Sequence, residues 1–211
     1  MQGLYAIIDH DALRAGGITV IEQARALLAA RPVALQLRAK NSSARDTLSL
    51  LTTLKPLAAA AQVPLFANDR PDLALLAGCD GVHLGQEDLP LAEVRRLAPE
   101  LKIGVSTHNL PELREALAGA PDYVAYGPVF PTTSKAKPDP CVGGAGLREA
   151  VALARAASCP LVAIGGIDSK AAPLIAELGI AAAAISALLP AEGLGAEERA
   201  RALAARLLGH A

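Results

Sequence analysis

Short aliphatic or β-branched runs alternate with longer Ala-, Leu-, Arg- and Glu-rich stretches from one end of this 211-residue chain to the other. The runs, bounded by turn and capping residues, predict strands at 4–9, 33–38, 64–68, 81–84, 102–106, 123–127, 161–165 and 182–185. The longer stretches predict helices at 19–30, 44–61, 71–77, 91–97, 111–117, 147–156, 170–178 and 196–208. Each strand is thus followed by its own helix, which returns the chain so that successive strands run parallel. Eight such units predict a parallel sheet closed on itself, an α/β (β/α)8 TIM barrel, as one domain over residues 1–211. An open doubly wound sheet is the alternative. It suits roughly five or six units and places a glycine-rich phosphate turn after its first strand, where this chain reads Asp9-His10-Asp11.

Composition then removes several kinds of function. Hydrophobic residues make up 52% of the chain and charged residues 19%, enough apolar surface to fill a sizeable core. Lys and Arg total 20 against 21 Asp and Glu, and the formal net charge of −1 offers no general attraction to nucleic acid or to an anionic membrane. Aromatic residues are only 2% with no Trp, so platforms for stacking bases are scarce. The longest apolar run, 180–189, falls far short of the roughly 18–20 residues of a membrane span. The first residues, Met-Gln-Gly-Leu-Tyr, lack the basic and apolar regions of a secretion signal. Cys79, Cys141 and Cys159 lie far apart with no Cys-x-x-Cys pair, which argues against a disulfide framework or structural zinc and for a reducing cytoplasmic setting. The expected partners are small molecules, with no nucleic acid and no membrane; a homo-oligomer is as compatible with the sequence as a monomer.

In a TIM barrel the active site lies at the C-terminal ends of the strands, and the residues there are strongly polar. Gln36, Arg38 and Lys40 alternate, so period two puts all three on the inward face of the second strand. Central barrel strands have no exposed edge on which such charges would be merely solvated; two cations aimed into the mouth call for an anion. Asn68 and Asp69 follow the third strand, and Asp88 follows the fourth. Asp69 and Asp88 can share a hard divalent ion, since Mg²⁺ is commonly held by one or two carboxylates plus substrate phosphate oxygens. They equally suit helix capping, because each shortly precedes a proline that opens a helix. His83, among apolar neighbours in the fourth strand, reads as a satisfied core histidine. The stretch Ser106-Thr107-His108-Asn109 offers ligand contacts or N-capping groups. After the seventh strand, Gly165 and Gly166 let the backbone approach a phosphate at the standard barrel anion site, which the eighth strand completes near Ser186. Between Gly127 and Gly146 the predicted loop is far longer than the usual handful of residues and carries Lys135 and Lys137, the makeup of a lid for an anionic ligand.

Six spaced motifs resemble the thiamine phosphate synthase family and cover nearly the whole chain: Gln36-Leu37-Arg38-Ala39-Lys40, the stretch from Asn68 to Ala74, the stretch from Asp80 to Pro90, Gly104-Val105-Ser106-Thr107-His108, the stretch from Gly127 to Lys135, and Ala163-Ile164-Gly165-Gly166-Ile167. The resemblance implies an enzyme that joins 4-amino-2-methyl-5-hydroxymethylpyrimidine diphosphate to a thiazole phosphate, or its carboxylate, releasing diphosphate and thiamine phosphate with Mg²⁺. By that likeness Gln36, Arg38, Lys40, Asn68 and Lys135 would bind the pyrimidine diphosphate, with Arg38, Lys40 and Lys135 stabilising the departing charge. Asp69 and Asp88 would hold Mg²⁺, and Ser106 would meet the pyrimidine. Thr132, Ser134, Gly165 and Ser186 would bind the thiazole phosphate. The chain departs from the family pattern at Ala39, where an acidic residue is common, at Ser134, which keeps the hydroxyl of a usual threonine, and over 181–184, where four alanines replace a stretch that often carries Asp-Gly.

Two other functions compete. The sister thiazole tautomerases resemble the chain too and would use His108 as acid and base. An isomerase has no diphosphate to bind, however, and no use for Asp69 and Asp88 as a pair. A sensor of thiamine precursors would need the phosphate sites without the metal.

Overall fold

A computed structural model of the protein describes residues 1–132, 139–191 and 193–210. Its strands are β1 (Gly3–Asp9), β2 (Ala34–Arg38), β3 (Leu65–Asn68), β4 (Gly81–Leu84), β5 (Lys102–Thr107), β6 (Tyr123–Tyr126), β7 (Leu161–Ile164) and β8 (Ala181–Ala184). They pair in chain order, every pair parallel, and β8 closes on β1 through Gly3–Ala181 to Ala6–Ala184. The expected (β/α)8 barrel is therefore the fold observed. Around it run α1 (His10–Ala15), α2 (Val20–Leu28), α3 (Ala44–Ala60), α4 (Pro71–Leu76), α5 (Leu91–Leu97), α6 (Leu110–Ala118), α7 (Gly143–Ala156), α8 (Ala172–Leu178) and α9 (Ala196–Leu207), with a 3₁₀ turn over Ser186–Leu188. Among the described residues, no helix is long and apolar enough to cross a membrane.

Three features differ from the reading of the sequence. Helix α1 was not expected: six residues are too few for a period to show, and the helix is nucleated by the Asp9 side chain, which accepts hydrogen bonds from the amides of Asp11 and Ala12 at 3.1 Å. The 3₁₀ turn was also unforeseen. Helix α7 begins at Gly143 rather than 147, although Gly143-Gly144-Ala145-Gly146 is poor helix material. Tertiary contacts override that propensity, since the amides of Val142 and Gly143 donate to the carbonyls of Pro128 (2.9 Å) and Val129 (3.0 Å) and fix where the helix starts.

The barrel interior is filled by Tyr5, Ile7, Phe66, Tyr123 and Val162 together with alanines of β2, β6 and β8. Three of the chain's five aromatic residues meet here, with ring centroids 5.6–5.9 Å apart. Two of them fit because the residue paired with each on the neighbouring strand is a glycine, Gly81 beside Phe66 and Gly104 beside Tyr123. A Cβ on Gly81 would lie 2.3 Å from Phe66 Cε1, and one on Gly104 would lie 2.0 Å from Tyr123 Cζ.

The N-terminal end of the barrel is tied by one device used twice. Asp80, just before β4, accepts from the Leu65 amide of β3 at 2.8 Å and pairs with Lys55 of α3 at 2.7 Å. Asp122, just before β6, accepts from the Ile103 amide of β5 at 2.8 Å and pairs with Arg95 of α5 at 2.6 Å. These charges are spent on the scaffold, and the chemistry is left to the opposite end.

Candidate active site

The C-terminal ends of the strands surround a cavity of about 690 Å³. Gln36 and Arg38 line it, as their alternation along β2 requires, and so does Lys40, two residues past the strand's end. Arg38 is not left to wave in the mouth. Its Nη1 pairs with Oδ2 of Asp9, the last residue of β1, which is only 7% exposed. Asp9 thus uses one oxygen to start α1 and the other to hold the guanidinium. The sequence reading gave Asp9 no role. The available signal was its register, since Asp9 and Arg38 are paired positions on adjacent strands.

Lys40, 53% exposed, reaches Asp69 Oδ2 at 3.3 Å. Asp69 has φ +63°, a left-handed conformation uncommon outside glycine, and its amide donates to the His83 carbonyl of β4 at 2.8 Å. In that position its carboxyl meets Asp88. Burial, then the hydrogen bond and charge of Asp88, push the Asp69 carboxyl above the usual carboxylate range, while Lys40 pulls the other way. Asp88 is itself placed by the Gly85 amide, which donates to its Oδ2 at 2.6 Å. Neither aspartate caps a helix: the cap positions of α4 and α5 are Arg70 and Pro90, without a side-chain cap bond. The capping alternative therefore falls, and the two carboxyls face each other on the rim. Among the described residues there is no group of three or more His, Cys, Asp and Glu side chains that could hold a metal, so any ion here must draw further ligands from water or substrate.

Asn68 lines the wall beside them. Deeper, Ser106 at the end of β5 accepts or donates at 2.8 Å with His83 Nε2, and His83 Nδ1 meets the Tyr123 hydroxyl at 2.8 Å. His83 is buried and hydrogen-bonded, as expected for a core histidine, yet it also lines the cavity. His108 sits at the rim with Nδ1 2.9 Å from Glu112 Oε2 and Nε2 3.5 Å from Asp139 Oδ2. It does not cap α6; Asn109 does, accepting from the Glu112 amide at 2.9 Å.

Across the cavity, Gly165 and Gly166 adopt φ +89° and +67°. A Cβ on Gly166 would lie 2.6 Å from the Pro131 carbonyl, so the turn after β7 is open only to glycine. The Phe130 amide donates to Gly165 O at 3.0 Å, which lays the start of the connection after β6 over this turn and brings Thr132 to the cavity. Ser186 opens the 3₁₀ turn beside it, and that turn is held from outside by Gln23 Nε2 on Leu188 O (2.9 Å) and Arg199 Nε on Ala187 O (3.1 Å). The ten expected site residues that are described, Gln36, Arg38, Lys40, Asn68, Asp69, Asp88, Ser106, Thr132, Gly165 and Ser186, all line this one cavity. Ser134 and Lys135 lie outside the described residues.

Comparison with known proteins bears on what such a mouth does. Residues 4–189 match the family described as thiamine monophosphate synthase. A thiamine-phosphate synthase of Anaeromyxobacter dehalogenans is 45% identical over 184 residues, covering 87% of this chain and 78% of that protein. One of Koribacter versatilis is 42% identical over 187 residues, covering 87% of each. Among solved structures, a thiamine phosphate pyrophosphorylase from Pyrococcus furiosus superposes with a TM-score of 0.86 at 32% identity, covering 99% of this chain and 96% of the other.

Proposed function

The chain belongs to the thiamine monophosphate synthase family, and we propose that its barrel mouth joins 4-amino-2-methyl-5-hydroxymethylpyrimidine diphosphate to 4-methyl-5-(2-phosphooxyethyl)thiazole, or to its carboxylate with loss of CO2, as a transferase that releases diphosphate. The observation that carries this reading is the polarity of one cavity: Arg38, Lys40 and the Asp69–Asp88 pair stand at one side, and the Gly165–Gly166 turn with Ser186 stands at the other. Two phosphorylated groups can face each other there with their reactive ends between.

A divalent ion fits the donor set. Two carboxyls in contact, one of them pushed toward its protonated form, are short of positive charge, and Asp69 and Asp88 would hold Mg²⁺ together with diphosphate oxygens. Bound there, the ion supplies positive charge to a leaving diphosphate. Arg38, with its guanidinium aimed by Asp9, and Lys40 take up the same developing charge from the protein side, and Lys135 joins them in this reading. The C–O bond to diphosphate breaks with its electron pair on oxygen, and the methylene cation left behind is stabilised by its aminopyrimidine ring. No protein nucleophile is needed. Gln36, Asn68 and Ser106 orient the pyrimidine. Thr132, Ser134, Gly165 and Ser186 bind the thiazole phosphate so that the ring nitrogen lies over the methylene carbon, where the new C–N bond forms without loss of a proton. The apolar floor of Ile7, Ala125 and Val162 keeps competing water from the cation. The three free cysteines suit a cytoplasmic enzyme.

Diphosphate release measured with both substrates tests the assignment. Turnover should require both substrates and Mg²⁺ and be lost on chelation, and Asp88→Ala should reduce it by at least about a hundredfold, as for loss of an electrostatic stabiliser, with the melting transition retained. Full activity of that variant, or turnover of thiazole phosphate alone, would contradict the reading.

A further inference from the structure

Five polar groups, four of them buried, form a continuous hydrogen-bonded chain beneath the cavity, and the mechanism above uses only its two ends, Gln36 and Ser106. Gln36 Nε2 donates to the Tyr5 hydroxyl at 3.0 Å. The Tyr5 and Tyr123 hydroxyls are 2.8 Å apart, Tyr123 meets His83 Nδ1 at 2.8 Å, and His83 Nε2 meets Ser106 Oγ at 2.8 Å. Tyr5, Gln36, Tyr123 and His83 are all buried. Burial first, and for Tyr123 the neighbouring Tyr5, push both phenols up, so each keeps its single proton and must place it.

Counting protons gives the chain a direction. The Tyr5 oxygen already accepts from Gln36. If it also accepted from Tyr123, its own proton would have no acceptor among the described residues, an orphaned buried donor that costs about 1–3 kcal/mol. The Tyr5 proton therefore goes to Tyr123, and the Tyr123 proton goes to His83 Nδ1. A neutral imidazole with Nδ1 accepting carries its proton on Nε2, and that proton is donated to Ser106 Oγ. We propose that Tyr5 and Tyr123 act as a one-way relay that sets His83 as its Nε2–H tautomer and so leaves the Ser106 hydroxyl to donate to the ligand.

The far end is set by the same count. With its Nε2 given to Tyr5, Gln36 has Oε1 left to accept. The cavity then offers a donor at Ser106 and an acceptor at Gln36, which matches a heteroaromatic ring bearing an amino group beside a bare ring nitrogen. A 4-oxopyrimidine reverses both roles, with an oxygen for the amino group and N–H for the bare nitrogen. The relay thus makes Tyr5, Tyr123 and His83 positioning residues for discrimination between amino- and oxopyrimidines. The ligand assignment rests on the proposed function; the tautomer does not.

Protein labelled with ¹⁵N in its histidine rings tests the relay directly, the His83 signals being those lost in His83→Gln. Expected is a bare Nδ1 and a protonated Nε2; the opposite tautomer, or an imidazolium, overturns the proposal. Tyr123→Phe keeps the ring and removes the relay. With its melting transition confirmed, this variant should lose the tautomer preference and raise KM for the pyrimidine diphosphate about tenfold, the worth of one hydrogen bond, with KM for the thiazole phosphate unchanged. Its preference for the amino- over the oxopyrimidine diphosphate as inhibitor should fall by a similar factor, and an unchanged preference would overturn the proposal. The expected tautomer in a protein that forms no thiamine phosphate would uphold the relay and refute only the function.

Discussion

Asp9→Asn separates the two tasks of one buried carboxylate. Asparagine is as good an N-cap as aspartate, so Oδ1 can keep the Asp11 and Ala12 amides at 3.1 Å and α1 can persist. The other oxygen is replaced by an NH₂ group that confronts the Arg38 Nη1 donor, and the compensating charge is gone. A hydrogen bond to a charged group contributes about 1.5–3 kcal/mol. Arg38 is 20% exposed, so solvent recovers part of that, and a stability loss of about 1–2 kcal/mol is expected. For a chain of this size that lowers Tm by roughly 2–8 °C. The catalytic loss is not softened in the same way, because a guanidinium no longer aimed at the leaving group forfeits the interaction when charge develops. The same 1.5–3 kcal/mol then becomes a roughly ten- to 150-fold fall in kcat. Steady-state diphosphate release and melting curves with and without inorganic diphosphate measure both. Diphosphate supplies a new acceptor for Arg38, so its addition should narrow the Tm gap between variant and wild type. A kcat within about twofold of wild type, well under one such hydrogen bond, would reduce Asp9 to a helix cap and refute the account of Arg38.

Three further substitutions probe the scaffold and the opposite pole. Gly104→Ala drives a Cβ to 2.0 Å from Tyr123 Cζ and should cost about 1–3 kcal/mol or more by overpacking, seen as a lowered Tm; an unchanged Tm would mean the barrel floor is looser than described. Gly166→Ala meets the Pro131 carbonyl at 2.6 Å in a left-handed conformation, so it should raise KM for the thiazole phosphate severalfold while sparing that for the pyrimidine diphosphate. Burial works to raise the Asp80 carboxyl, but Lys55 and the Leu65 amide outweigh it and hold it below the usual range. A carboxyl depressed in the fold stabilises above its unfolded pKa, and that contribution is lost as pH falls through the folded value. Asp80→Asn should therefore be less stable at neutral pH and lose less on acidification below about pH 4; parallel acid-unfolding curves for the two proteins would count against it.

The strands were legible because each is a short apolar run cut by turn residues, and the closed topology follows from eight consecutive strand–helix units. What escaped was set by contacts between distant segments. Helix α1 has too few residues to show a period, and its nucleus is a side chain that the sequence gives no reason to separate from a strand end. The start of α7 is fixed by carbonyls of Pro128 and Val129, not by its own glycines. Tyr5 and Tyr123 look like ordinary core aromatics in their strands; only closure of the barrel brings their hydroxyls to 2.8 Å and connects them to His83.

Four aspartates at the strand ends of the third to sixth units show where composition stops being informative and position takes over. Asp80 and Asp122 stand one residue or so before a strand, Asp69 and Asp88 after one. In a parallel barrel that difference decides the end of the molecule on which a carboxylate emerges. At the N-terminal end, Asp80 and Asp122 each find a strand amide and a cation, and their charge is consumed within the scaffold. At the C-terminal end, Asp69 and Asp88 find each other, with Lys40 Nζ 3.3 Å from Asp69 Oδ2. A pair of carboxyls in contact is destabilising by itself, and a fold retains such strain where a ligand relieves it. The same residue type is therefore structural in one place and reactive in the other because of which neighbours the strand direction leaves it. That is also why Asp69→Asn should relieve repulsion and raise Tm in the absence of Mg²⁺ while abolishing turnover, the reverse of the loss of both expected for Asp9→Asn.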